Sequence, residues 1–267
     1  MNIINSIILG IVQGLTEFLP VSSSGHLVIF QELLKYNKPG ILFEIIVHIG
    51  TLTAVIVYFR KDIVKLIIAL FNWKKDRDNE IKSYQHMLLH LIIASIVTGI
   101  IGLIFQDILE SFFDNILLVS IMLLVTGLIL FISDKVKNTD REQLNLPTSL
   151  FIGFAQSIAI IPGISRSGST ISAGIFAGLK RDVAVRFAFL LSIPAIIGAV
   201  ILKSKELSDV LTHDLLLPYL LAGISAAIVG YLSISLLIQL IRKAKLIYFS
   251  IYCWIVGCLT IVITLVK

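Results

Sequence analysis

The sequence predicts an all-α polytopic membrane protein with six full transmembrane helices and two re-entrant helical hairpins, arranged as an inverted-topology repeat. Three observations predict it. The 267 residues are 57% hydrophobic and 15% charged, with a mean hydropathy of +0.97, which leaves too little polar surface to cover a soluble protein of this size. Six apolar runs, at 41–59, 86–106, 116–133, 183–202, 216–239 and 246–266, reach or approach the roughly 20 residues that cross a bilayer. Four shorter apolar pieces, at 2–19, 23–34, 148–161 and 167–179, come in two pairs, each interrupted by a polar stretch rich in Gly and Ser.

Each short pair reads as a helix–loop–helix that enters the membrane and turns back. The order along the chain is then hairpin and three spans, a polar loop at 134–147, and hairpin and three spans again. Three spans per unit is an odd number, so the second unit must be inverted. This gives a single membrane domain, 1–267, with repeat 1 at about 1–135 and repeat 2 at about 147–267. With an offset of 143, Gly10, Gln13, Ser22, Ser24 and Gly25 fall on Gly153, Gln156, Ser165, Ser167 and Gly168, mostly at polar positions.

Charge gives an independent test of this topology. If 41–59 runs from outside to inside, 15 of the 22 Lys and Arg lie inside, at 60–82, 135–141, 180–181 and 242–245. The outside holds Lys35, Lys38, Lys203, Lys205 and Lys267, and an acidic 107–115 loop. This is the positive-inside pattern, with both termini outside. It also explains the net charge of +5 without nucleic acid, since the bases lie in short connections between spans. No basic n-region precedes the first apolar stretch, so no cleaved signal peptide is expected.

The two polar stretches are Gln13-Gly14-Leu15-Thr16-Glu17-Phe18-Leu19-Pro20-Val21-Ser22-Ser23-Ser24-Gly25-His26 and Pro162-Gly163-Ile164-Ser165-Arg166-Ser167-Gly168-Ser169-Thr170. Ionisable residues inside a membrane are functional candidates by default. Paired broken helices in an inverted repeat place a binding site near the midplane, where the stretches should meet. Each loop opens a half-helix whose free N–H groups and dipole favour an anion. Ser22, Ser24, Gly25, Ser165, Ser167, Gly168 and Thr170 supply hydroxyls and close backbone, and the planar fork of Arg166 suits phosphate oxygens. The first loop adds Glu17, one turn after Gln13, together with Ser23 and His26. Hydroxyl, imidazole, carboxylate and guanidinium are the parts of a phosphoryl-transfer centre: nucleophile, acid or base, base or metal ligand, and charge stabiliser. Ser23 or a water is the attacking group.

At these residues the chain resembles the bacterial undecaprenyl-diphosphate phosphatases, the bacitracin-resistance proteins, in both motifs and in length and segment order. Phe43-Glu44, Gly50-Thr51-Leu52 and Phe187 to Pro194 are similar as well. The resemblance implies hydrolysis of undecaprenyl diphosphate to the monophosphate and phosphate, recycling the lipid carrier of cell-wall synthesis. It implies an outward-facing site in the cytoplasmic membrane and a divalent cation, Mg²⁺ or Ca²⁺. It carries the Glu/Gln-x-x-x-Glu element onto Gln13 and Glu17, the serine and histidine onto Ser23 and His26, and the phosphate-binding arginine onto Arg166. Position 13 is Gln where many members have Glu, so Glu17 carries any carboxylate duty, metal binding included. The type 2 phosphatidic acid phosphatases have a comparable Ser-Gly-His and Ser-Arg, but their further histidine has no counterpart in 167–178. The alternative reading is a flippase or transporter of polyprenyl phosphate, for which the anion cradle alone would suffice.

The remaining polar residues have plainer readings. Glu44 and His48 lie one turn apart near the outer boundary. His86 and His90 suit the inner interface, the 60–82 charge run a solvated inner loop, and Arg186 a snorkelling span start. Cys253 and Cys258 read as packing residues. Gly223, Ala226, Ala227 and Gly230 form a small-residue stripe fit for an internal or a homodimer contact. The partners expected are the polyprenyl diphosphate and membrane lipids.

Overall fold

A computed structural model describes residues 3–34, 40–72, 78–105, 112–137, 139–204, 213–242 and 245–266. Among these, eleven α-helices account for nearly all regular structure: α1 (Ile3–Phe18), α2 (Ser23–Leu33), α3 (Gly40–Tyr58), α4 (Arg60–Phe71), α5 (Asn79–Ile104), α6 (Ile116–Asp134), α7 (Leu146–Ile158), α8 (Arg166–Phe176), α9 (Arg181–Ser204), α10 (His213–Arg242) and α11 (Ile247–Val266). Helices α3, α5, α6, α9, α10 and α11 are long and apolar enough to cross a membrane, and the chain is a multi-pass membrane protein. Exposed Ile, Leu, Val and Phe along these helices form the surface that lipid would cover. Lys35, Lys38, Lys74, Lys75, Arg77, Asp107, Glu110, Lys205, Lys243 and Lys267, used above to read the topology, lie outside the described residues.

Side-chain caps mark where the sequence starts its helices. Asn115 accepts from the Leu118 N–H at 3.0 Å to open α6. Asn145 does the same for Thr148 at 3.0 Å ahead of α7, where Pro147 occupies a first-turn position that needs no N–H. Pro194 and Pro218 sit inside α9 and α10 and are tolerated there, as is common in membrane helices.

The two halves grip each other through matching contacts. Helix α1 lies along α10, and α7 lies along α5. Glycine permits both approaches: a first side-chain carbon at Gly10 would sit 2.3 Å from the Ala222 carbonyl, and one at Gly153 would sit 2.7 Å from that of Ala94. Hydroxyls accompany each crossing, Ser225 donating to Ile7 O at 3.4 Å and Thr98 to Gly153 O at 3.1 Å. Helices α6 and α11 pack on each other, with the Ser250 hydroxyl donating to Gly127 O at 2.7 Å and Trp254 to Leu124 O at 3.1 Å. The small-residue stripe of α10 is spent inside the chain. Gly223 faces Ile46 of α3, and Gly230 faces Phe18 and Ala54.

One end of the bundle is fixed by polar contacts. The Asp134 carboxylate accepts from the Leu246 N–H at 2.8 Å, and the Asp134 carbonyl accepts from Arg181 at 3.1 Å. Asp62 pairs with Arg186 and accepts from Tyr84 at 2.9 Å. The end of α6, the starts of α5, α9 and α11, and α4 therefore share a side. Glu44 pairs with Lys203 where α3 starts and α9 ends.

Two expectations change, and a third gains detail. The first part of the 60–82 charge run is the helix α4, because Asp62 is held by Arg186 and Ala69 is buried against the bundle. Its Val64, Ile67, Ile68 and Phe71 are exposed on one face, which suits the membrane boundary better than water. His90 is buried rather than interfacial, with Nδ1 2.7 Å from the Ser149 hydroxyl and Nε2 3.2 Å from His86. Arg186 lies near the start of its span as expected, and there it takes Asp62 and Tyr84 as partners.

Candidate active site

The two polar loops meet. A side chain added at Gly25 would lie 3.2 Å from Gly163 Cα, and one added at Gly168 would lie 3.4 Å from Pro20. The Ser167 hydroxyl donates to Leu19 O at 3.1 Å. Gly163 has φ +94° and presses against the Val119 carbonyl, so this turn needs glycine on both counts. Thr126 of α6 ties the second loop down, donating to Gly163 O at 2.9 Å and accepting from Ser165 N at 3.0 Å.

Serine caps open α2 and α8 in the same way. The Ser22 hydroxyl accepts from Gly25 N at 3.2 Å and lies 3.3 Å from the Ser24 hydroxyl. The Ser165 hydroxyl accepts from Gly168 N at 3.0 Å and lies 3.2 Å from that of Ser167. Ser22 holds φ +71°, a left-handed conformation that costs a non-glycine residue on the order of 1–3 kcal/mol. Thr170 lies one turn deeper and donates to Arg166 O at 2.8 Å.

Glu17 is the hub. Its Oε2 accepts from Ser23 Oγ at 2.5 Å and from Gln13 Nε2 at 3.0 Å, while its Oε1 pairs with the Arg166 guanidinium. The Glu17 side chain is 3% exposed and that of Arg166 is 23% exposed. A carboxylate this deeply buried needs such partners. Of the three consecutive serines, only Ser23 reaches the carboxylate in the bonds described, which separates it from the capping pair Ser22 and Ser24.

His26 stands apart from this group. Its ring faces the backbone of its own turn instead of the Ser23 hydroxyl: Nδ1 lies 2.8 Å from Ser22 O, and Nε2 lies 2.8 Å from the Tyr252 hydroxyl. A carbonyl only accepts, so Nδ1 carries a proton. Tyr252 is the residue that sequence reasoning missed, because it comes from α11, 226 positions away, and nothing in its apolar span marks it.

A scan against protein families matches residues 6–259 to the bacitracin resistance protein BacA. The chain belongs to this family. Among BacA relatives, the undecaprenyl-diphosphatase of Halothermothrix orenii is 42% identical over 266 residues, covering 98% of each chain. That of Syntrophotalea carbinolica is 43% identical, covering 96% of this chain and 97% of its own. That of Treponema denticola is 44% identical, covering 94% of each.

Proposed function

We propose that this chain hydrolyses undecaprenyl diphosphate to undecaprenyl phosphate and inorganic phosphate, recycling the lipid carrier for cell-wall synthesis and so conferring bacitracin resistance. The observation that carries the reading is Glu17 holding Ser23 and Arg166 at once, from two loops distant in sequence. The relatives' names agree with it. Carriage of a polyprenyl phosphate requires a cradle for the anion but no hydroxyl bonded to a buried carboxylate, so the transport alternative gains no support.

In this reading the diphosphate rests on the N-termini of α2 and α8. Arg166 has five N–H donors and spends part of them on Glu17, leaving the rest for phosphate oxygens. Ser23 Oγ attacks the terminal phosphorus as Glu17 takes its proton. The bond to the bridging oxygen breaks and undecaprenyl phosphate leaves. Water then attacks the phosphoserine, the proton held on Glu17 returns to the serine oxygen as its bond to phosphorus breaks, and both hydrogens of the water leave with inorganic phosphate. Ser165, Ser167 and the backbone at Gly25 and Gly168 bound the anion, and His26 governs protons near the leaving group.

The donor set fits a divalent cation. Gln13 Oε1 is buried without a hydrogen-bond partner beside the Glu17 carboxylate, and both are hard oxygen donors. Among the described residues no group of three or more His, Cys, Asp or Glu could hold an ion, so substrate oxygens and water would supply the remaining ligands. Gln13 and Glu17 would hold Mg²⁺ or Ca²⁺, which when bound would neutralise charge on the diphosphate.

The matching contacts of α1 with α10 and α7 with α5, and the matching serine caps, support an inverted repeat with α1–α2 and α7–α8 as re-entrant hairpins. The basic residues at the Asp134 end support that end as cytoplasmic, with the site opening to the outer side of the bacterial cytoplasmic membrane. Glu17, Ser23, His26 and Arg166 all come from one chain.

The test is phosphate release from undecaprenyl diphosphate by purified protein in detergent micelles. Release is expected from the unsubstituted chain and not from Glu17→Ala or Arg166→Ala. A folded chain that releases none, or variants that release it at the normal rate, would overturn the proposal.

A further inference from the structure

His26 is 2% exposed and makes no described contact with Glu17 or Ser23, so its link to the rest of the site depends on what holds its second nitrogen. With Nδ1–H committed to the Ser22 carbonyl, Nε2 is the nitrogen whose protonation can change. Tyr252 contacts this ring in two ways. Its hydroxyl lies 2.8 Å from Nε2, and its ring stacks on the imidazole with planes 8° apart and centroids at 5.5 Å. Tyr252 is itself 42% exposed, and the contacts of Ser250 with Gly127 and of Trp254 with Leu124 set it level with the middle of α6. Here the hydroxyl turns inward onto a buried imidazole. The neighbouring Cys253 is fully buried, with its sulfur 3.8 Å from Pro20 O, which seats α11 against the first loop.

We propose that Tyr252 is the positioning residue of His26. The Ser22 carbonyl, the imidazole and the phenol form one hydrogen-bonded chain in which the carbonyl fixes the tautomer and the phenol fixes the ring plane and the partner of Nε2. A phenol serves both states of the ring, donating to the neutral form and accepting from the protonated one. This is the role the orienting member plays for a catalytic histidine in other enzymes, filled here by a neutral group from the opposite half of the chain. The inference rests on the phosphatase reading for its kinetic consequence but not for its geometry.

The experiment compares the unsubstituted chain with Tyr252→Phe, which keeps the ring and removes the hydroxyl, and with Tyr252→Ala. Steady-state hydrolysis of undecaprenyl diphosphate in micelles gives kcat and KM. ¹⁵N spectra of histidine-labelled protein, with His26→Gln to assign one of the five histidines, report on Nε2. Tyr252→Phe is expected to lower kcat roughly tenfold or more, with KM within about twofold, and to shift the His26 Nε2 resonance. Tyr252→Ala is expected to lose at least as much. Normal kcat in Tyr252→Phe, a change in KM alone, or an unmoved Nε2 resonance would each overturn the inference while leaving the phosphatase reading intact. No phosphate release by the unsubstituted chain would instead overturn that reading, and the Nε2 resonance would still decide the link between Tyr252 and His26.

Discussion

Arg166 and Glu17, 149 positions apart, form an ion pair that joins the two polar loops. The pair is a structural clasp, and in the proposed reaction it would be a chemical unit as well, so the two roles can be separated. Removing one partner of a pair this buried strands the other charge, at a cost of about 3–5 kcal/mol. Arg166→Ala should therefore lower the melting temperature, and Arg166→Met combined with Glu17→Gln should recover much of that stability. Neither protein should recover activity. Thermal unfolding in micelles, read beside phosphate release, makes the comparison.

Ser23 donates to Glu17, whereas Ser22 and Ser24 bond to each other. Ser23→Ala should reduce kcat by roughly 100-fold or more, because both the proposed attacking oxygen and its hydrogen bond to the carboxylate are lost. Ser24→Ala should change it by less than about threefold. Rapid quenching with a substrate labelled in its terminal phosphate should trap label on the protein in the unsubstituted chain and not in Ser23→Ala. Equal turnover in the two serine variants would rule out this assignment.

Gln13 offers a buried amide oxygen where a carboxylate would add charge. Affinity for a hard cation rises with ligand charge, so Gln13→Glu should lower the Mg²⁺ or Ca²⁺ concentration for half-maximal activity by roughly tenfold. Gln13→Leu should raise it. Activity of metal-stripped protein titrated with each ion is the measurement, and identical titration curves for all three proteins would remove Gln13 from the ion's surroundings.

Ser22 combines a helix cap with a left-handed backbone. Ser22→Ala loses the cap and keeps the strain, costing about 1 kcal/mol. Ser22→Gly loses the cap but adopts φ +71° freely, so it should be close to neutral. Melting temperatures should therefore rank serine and glycine together above alanine.

Gly10 and Gly153 set the two matching helix crossings. Val at either position must push against backbone, and the expected cost is about 1–3 kcal/mol at each. The positions are in different crossings, so the double variant should lose close to the sum. A double variant that loses no more than either single would show that the crossings are not independent.

Much of this architecture was legible in the sequence because a bilayer imposes simple rules. Apolar length fixed the six spans to within a few residues, apart from the earlier start of α5 at Asn79. The cost of burying Glu17 and Arg166 in lipid marked both loops, and repeated Gly, Gln and Ser marked them as counterparts. What the sequence could not supply was which partner each polar side chain takes. His26 follows Ser23 by one helical turn, yet its ring turns to the Ser22 carbonyl and to Tyr252, a residue that is near only because α11 folds back beside the first loop. The charges of α4 read as a loop because Asp62 finds Arg186 only in the folded bundle. Composition and periodicity record what a residue costs in lipid. Tertiary structure decides which distant group offsets that cost, and in this protein those choices build the site around Glu17.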